Sequence, residues 1–231
     1  SLGSRGLGDV YKRQKLIRLN KIMKFIIRLF SALIITFSYI ELAYSKTTKI
    51  IIFGDSLIAG YGLVVEDNFV NQLKLKTIES KIKDVTFFNS GVSGETSTGL
   101  LNIYKMVLED NYDSVIILIG ANDALRGIDP SLTSQNIEKI LSYLKEKQIP
   151  TMLIGMKAPN NLGEIYVNEF NAIYPKLSKK YDTAYYPFFL KDVALKPSLN
   201  QRDMIHPNKK GVKIIVNNFF PYFLEFYESL K

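Results

Sequence analysis

Lys49-Ile50-Ile51-Ile52-Phe53-Gly54-Asp55-Ser56-Leu57 is the stretch from which the fold is read. Four consecutive apolar residues, Ile50 to Phe53, show no helical spacing and run straight into a glycine and two polar residues, as a buried strand does where it enters a turn. Working outward, Val85–Asn89, Ser114–Ile119, Thr151–Ile154 and Thr183–Phe188 repeat the pattern and join Lys49–Phe53 as expected strands. Between them the apolar residues switch to helical period. Ile137, Ile140, Leu141 and Leu144 fall at i, i+3, i+4, i+7, and Tyr166, Phe170, Ile173 and Leu177 make a comparable stripe. Five strand runs separated by helices imply an α/β protein with a parallel sheet. Its runs, the second among them and Ile116-Ile117-Leu118-Ile119 of the third, are nearly continuously apolar, as expected where helices cover both faces. Pro175 should kink or shorten the helix of the Tyr166 stripe. The last segment carries Ile214, Ile215, Phe219, Phe220 and Phe223, with Pro207 expected in its first turn and His206 at its entrance.

Ligands of such sheets bind beyond the carboxyl ends of the strands. Gly54-Asp55-Ser56-Leu57 follows the first run, Gly91-Val92-Ser93-Gly94 the second and Gly120-Ala121-Asn122-Asp123 the third, while Asp203-Met204-Ile205-His206 precedes the last helix. Taken singly, Asp55 or Ser56 serves equally as a helix cap, and Gly94 or Asn122 as a turn residue with positive φ. The Asp-x-x-His spacing says more. One irregular turn lets the Asp203 carboxylate reach Nδ1–H of His206 and leaves Nε2 for a nucleophile, against the alternative of a surface histidine capping the helix.

Composition limits the chemistry. The 231 residues are 47% apolar and 23% charged, fitting one globular domain once a targeting segment is removed. With no cysteine and one histidine, a thiol nucleophile, a thiolate metal site and a multi-histidine metal site are excluded within one chain. The formal charge of +8 is concentrated in residues 1 to 45, which hold eight of the 30 Lys/Arg and two of the 22 Asp/Glu. What remains is nearly balanced and makes no electrostatic case for nucleic acid. From Met23, a basic stretch (Lys24, Arg28), an apolar run from Leu29 to Ile40 and the small residues of Ala43-Tyr44-Ser45 follow in the order of a secretory signal peptide. The apolar run is short of the roughly 20 residues that span a bilayer. Residues 1 to 22 read as upstream sequence or sequence added for expression, 23 to 45 as the signal peptide, and 46 to 231 as one domain.

The set Gly54-Asp55-Ser56-Leu57, Gly94, Gly120-x-Asn122-Asp123 and Asp203-x-x-His206, in that order, resembles the SGNH (GDSL) hydrolases. Gly54 to Gly62, Gly120 to Gly127 and Ala172 to Leu177 are similar to the bacterial arylesterase, acyl-thioesterase and lysophospholipase subgroup, in which a proline at 175 is tolerated. The resemblance implies a three-layer α/β/α, flavodoxin-like fold with a five-stranded parallel sheet. It implies hydrolysis of acyl esters or thioesters with no metal and no cofactor, by a monomer that is exported and not inserted in the membrane after signal cleavage. Ser56 would be the nucleophile, His206 the base and then the acid, and Asp203 the group that orients the imidazole. Ser56 N–H, Gly94 N–H and the Asn122 amide would hold the oxyanion, Gly94 allowing close approach of the backbone. No Gly-x-Ser-x-Gly elbow is present, which argues against the α/β-hydrolase fold.

Acyl length depends on the loops after the third and fourth strands. Leu125, Ile128, Pro159 and Leu162 would form an apolar wall for a fatty-acyl or aryl group, or equally pack on the sheet edge as ordinary loop residues. A carbohydrate O-acetyl esterase and a binding module that keeps the site are the alternatives. A phospho-accepting receiver using Asp55 is opposed by the export signal and by the Asp-x-x-His cluster.

Overall fold

The computed structural model describes residues 5–41 and 47–231, which belong to two compact units, one within residues 1–46 and one spanning 47–231. The first consists of a single helix, α1 (Arg5–Glu41), which runs through the expected boundary at 22/23 without a break. Ala43-Tyr44-Ser45 lies outside the described residues. Among the described residues no helix is long and apolar enough to cross a membrane.

The second unit alternates strands and helices: β1 (Thr48–Gly54), α2 (Ser56–Ala59), α3 (Phe69–Glu79), β2 (Val85–Gly91), α4 (Ser97–Val107), β3 (Ser114–Leu118), α5 (Ala121–Leu125), α6 (Pro130–Glu146), β4 (Thr151–Ile154), α7 (Glu164–Tyr181), β5 (Ala184–Tyr186) and α8 (Lys209–Glu228). All pairings are parallel, in the order β2-β1-β3-β4-β5. Within this unit the chain runs through β1, steps out to β2, then reverses and crosses to β3, β4 and β5. That reversal lies between β1 and β3, the position at which doubly wound sheets bind ligands. Helix α3 packs on α8, while α4 packs on α6 and α6 on α7, giving the α/β/α layering.

The helical stripes are core, as their spacing implies. Ile137, Ile140, Leu141 and Leu144 of α6 and Phe170, Ile173 and Leu177 of α7 are all buried. On the α3/α8 side the filling is aromatic. Phe69 meets Phe189 edge-on at 5.0 Å and Phe219 at 5.3 Å, and Tyr186 of β5 meets Phe219 at 5.4 Å. Such pairs gain from quadrupole geometry as well as from buried area.

Four local expectations need correction. β2 is not covered on both faces: it is the edge strand, so Phe87 packs on the core while Thr86 and Phe88 are exposed. Pro175 does not shorten α7, which continues to Tyr181. Pro175 is exposed, while Tyr174 and Leu177 fix the buried side of the helix. Pro207 precedes α8 instead of entering its first turn, because Asn208 is the cap and its Oδ1 accepts from Lys210 N–H and Gly211 N–H at 2.9 and 3.1 Å. The fifth strand is shorter than Thr183–Phe188, spanning Ala184–Tyr186.

One buried carboxylate joins three helices. Asp123 of α5 accepts from Ser97 N–H and Ser97 Oγ–H at the start of α4 and from Thr133 Oγ1–H of α6. Asn136 of α6 in turn donates to Ser97 Oγ at 3.0 Å. Removing the acceptor strands these donors without water. Asp123→Ala should therefore lower the stability by about 2–4 kcal/mol in urea unfolding, with Asp123→Asn between it and the wild type.

Candidate active site

The register sets the site. Gly54 pairs with Gly91 on one side and Leu118 on the other, so β1, β2 and β3 end level and release their polar turns at one edge. Asp55 is the N-cap of α2: its Oδ1 accepts Leu57 N–H at 2.9 Å and its carbonyl accepts Ala59 N–H at 2.9 Å. Capping thus fixes Ser56 as the first residue of α2. His206, from the other end of the chain, places Nε2 2.8 Å from Ser56 Oγ. Its Nδ1 lies 2.7 Å from Asp203 Oδ2. A carboxylate only accepts, so Nδ1 carries the proton and Nε2 accepts from the serine hydroxyl.

Asp203 is held by more than the imidazole. Its Oδ1 accepts Ile205 N–H at 2.9 Å and His206 N–H at 3.0 Å, the irregular turn that the spacing implied. Burial by itself would raise its pKa, but the bonds from His206 N–H, the His206 ring and Ile205 N–H outweigh that and bring it down to about 2. Asp55 goes the other way. Burial pushes its carboxyl up to about 6, against the Leu57 N–H bond and the attraction of His206, with repulsion from Asp123 adding to the rise. Its Oδ2 is buried without a hydrogen-bond partner.

The loop after β2 folds as a turn closed by Glu95 N–H to Val92 O at 3.0 Å, with Gly94 in its third position at φ 82°. That is the type II geometry, which only glycine adopts without strain. Glycine is required for this φ, and within the protein an added Cβ would meet only Arg126 Nη2, at 3.6 Å. Asn122 lies inside α5, so it is no positive-φ turn residue. Its Nδ2 donates to Glu95 O at 2.9 Å, which draws its amide to the Gly94 turn. Val92 N–H in turn donates to Gly54 O at 3.0 Å, fixing the turn to the strand that precedes Ser56.

Two contacts were not read from the sequence. The Tyr61 ring, 54% exposed, lies 4.6 Å from the His206 ring, tilted by 39°. Gln201 Nε2 donates to Tyr61 O at 2.7 Å and to Pro207 O at 3.1 Å, joining the loop after α2 to the loop that carries the histidine. Gly60-Tyr61-Gly62 was the available signal, two glycines at φ 81° and 72° around an aromatic residue, but nothing local names its partner 140 residues away.

The four loop residues expected to face an acyl chain do not line the small cavity beside Ser56. Leu57, Tyr61, Leu63, Phe69, Phe189 and Val212 are among those that do, because this cavity lies under His206 toward α3 and α8, away from the loops after β3 and β4. Leu125 is 48% exposed. Ile128 and Leu162 are partly buried: Ile128 O accepts Tyr166 Oη–H at 2.7 Å, and Leu162 packs against the core. Pro159 is half-buried. Among the described residues no cluster of three or more His, Asp or Glu groups is assembled to hold a metal.

Residues 52–214 match the family model described as GDSL-like Lipase/Acylhydrolase. The chain is 33% identical over 186 residues to an arylesterase of Vibrio mimicus, covering 80% of this chain and 92% of that protein. It is 36% identical over 169 residues to thioesterase 1/protease 1/lysophospholipase L1 of Escherichia coli (strain K12), covering 73% and 79%. The crystal structure of the psychrotrophic esterase EstA from Pseudoalteromonas sp., inhibited by monoethylphosphonate, superposes with a TM-score of 0.74 at 31% identity, covering 78% of this chain and 99% of that one.

The raised pKa of Asp55 gives a stability signature. Since the folded state binds the proton more tightly than the unfolded chain does, the stabilisation is complete below about pH 4 and is lost as pH rises to about 6. The lowered pKa of Asp203 acts below this window, where stability is lost as pH falls from about 4 to about 2. Asp55→Asn keeps an acceptor for Leu57 N–H, so its stability relative to the wild type should rise between pH 4 and 6, read from urea midpoints across that range.

Proposed function

The chain belongs to the GDSL-like lipase/acylhydrolase family, and on that premise we propose that it is a serine hydrolase of acyl esters and thioesters that works through an acyl-enzyme. The observation that carries this reading is the continuous relay from Ser56 Oγ to His206 Nε2 at 2.8 Å and from His206 Nδ1 to Asp203 Oδ2 at 2.7 Å. As Ser56 Oγ attacks the acyl carbon, its proton passes to Nε2 and the imidazolium is stabilised by Asp203, which stays ionised down to about pH 2. The carbonyl oxygen becomes an oxyanion held by Ser56 N–H, Gly94 N–H and Asn122 Nδ2. Nε2–H then protonates the leaving alcohol or thiol, and water attacks the acyl-serine by the same route, releasing the carboxylic acid.

The arylesterase and the thioesterase/lysophospholipase relatives support aryl esters, lysophospholipids or fatty-acyl thioesters as substrates in place of sugar acetates. All groups the reaction uses are on one chain, so a monomer suffices. The Met23 to Ser45 pattern supports export to the periplasm or medium, with residues 46–231 as the working domain. Leu125, Ile128, Pro159 and Leu162, on the loops after β3 and β4, remain the proposed acyl-facing wall.

Hydrolysis of p-nitrophenyl esters from acetate to palmitate tests the reading. Turnover should require Ser56, with Ser56→Ala losing nearly all activity while keeping its circular dichroism. Asn122→Ala should lower kcat by about a hundredfold to a thousandfold with a small change in KM. A preference for acetate alone favours the carbohydrate esterase, and equal activity of Ser56→Ala rejects the mechanism.

A further inference from the structure

Gly94 has no side chain by which to be held, and only its turn fixes the direction of its N–H. The closing bond from Glu95 N–H to Val92 O sets the form of the turn but not where the turn sits against the helices.

Val92 N–H to Gly54 O ties the start of the turn to β1, and its end is held by α5. Asn122 and Arg126 stand four residues apart at its two ends, tied by Arg126 N–H to Asn122 O at 3.1 Å, and so share one face. They donate to consecutive carbonyls of the turn, Asn122 Nδ2 to Glu95 O and Arg126 Nη2 to Gly94 O, both at 2.9 Å. Asn122 already has a place in the proposed mechanism. Arg126 has none: it is exposed and forms no ion pair among the described residues, and its guanidinium is the one group an added Cβ at Gly94 would approach. We propose that Arg126 is a positioning residue of the oxyanion hole: by holding Gly94 O beside the Asn122 bond to Glu95 O it keeps the turn in one place against α5, so that Gly94 N–H and the Asn122 amide converge on one oxyanion. The role rests on the serine mechanism above. A planar fork presents Nη2 to the carbonyl with less loss of freedom than an ammonium on a flexible stem.

Arg126→Ala and Arg126→Lys, compared with the wild type on p-nitrophenyl butyrate, test this. Arg126→Ala should lower kcat about tenfold, less than loss of a donor itself, with KM within about twofold. Arg126→Lys should recover most of the loss. The melting temperature should not move, and the Gly94 amide cross-peak should shift in the 1H–15N spectrum of Arg126→Ala. Unchanged kcat, a rise in KM alone, or a kcat loss with the Gly94 peak unmoved overturns the role. Labelling with a p-nitrophenyl alkylphosphonate, read by mass spectrometry, separates the two levels. A wild type unlabelled at Ser56 overturns the serine mechanism and this role with it; labelled Ser56 with unchanged kcat in Arg126→Ala overturns the role of Arg126 alone.

Discussion

The backbone pairing of β1 on both of its edges is the constraint on which the structure depends. A strand buried between two neighbours must satisfy its N–H and C=O groups on both sides, and the register that does so brings Gly54, Gly91 and Leu118 level. The reversal of winding between β1 and β3 then opens a crevice where the helices diverge. Ser56, the Gly94 turn and Asn122 meet there because three strands end together. The buried Asp123 hub lies directly behind, and by joining α4, α5 and α6 it keeps the two loops in step.

Two carboxylates flank this crevice with opposite electrostatics. Asp55 is enclosed, with one oxygen on Leu57 N–H and the other unpartnered, so burial dominates and its proton is held tightly. Asp203 is partly open to water and receives two backbone N–H groups and the imidazole, so its charge is favoured. The difference assigns their work. In the proposed mechanism the anion behind His206 steadies the imidazolium, while Asp55, its carboxyl pushed up to about 6, serves as the cap of α2.

Much of this was legible in the sequence for physical reasons. Ile50 to Phe53 and Ile116 to Leu118 are apolar without alternation because helices cover both faces, and α6 shows its buried face at 3.6-residue spacing. The candidate residues stood out as a set: singly, glycine, aspartate and serine at these positions serve as turn and cap residues, but four such clusters follow one another at one sheet edge and end in Asp-x-x-His. Edge position was not legible: Val85 to Gly91 is as apolar at its start as an interior strand, and only pairing order exposes Phe88. Pro207 was misread because Asn208 competes for the same helix start and caps it more effectively. Tyr61 and Gln201 were missed because their contacts join segments 140 residues apart, beyond any local pattern.

The Gln201 amide has a dynamic consequence. One side chain grips the carbonyls of Tyr61 and Pro207, and it fits only because residue 62 is glycine: a Cβ there would lie 2.1 Å from Gln201 Oε1. The loop after Ser56 and the loop that carries His206 are therefore not independent hinges. Opening one loop away from the other must break the Gln201–Tyr61 bond, so local opening at either segment is tied to the other through one side chain although 140 residues separate them along the chain.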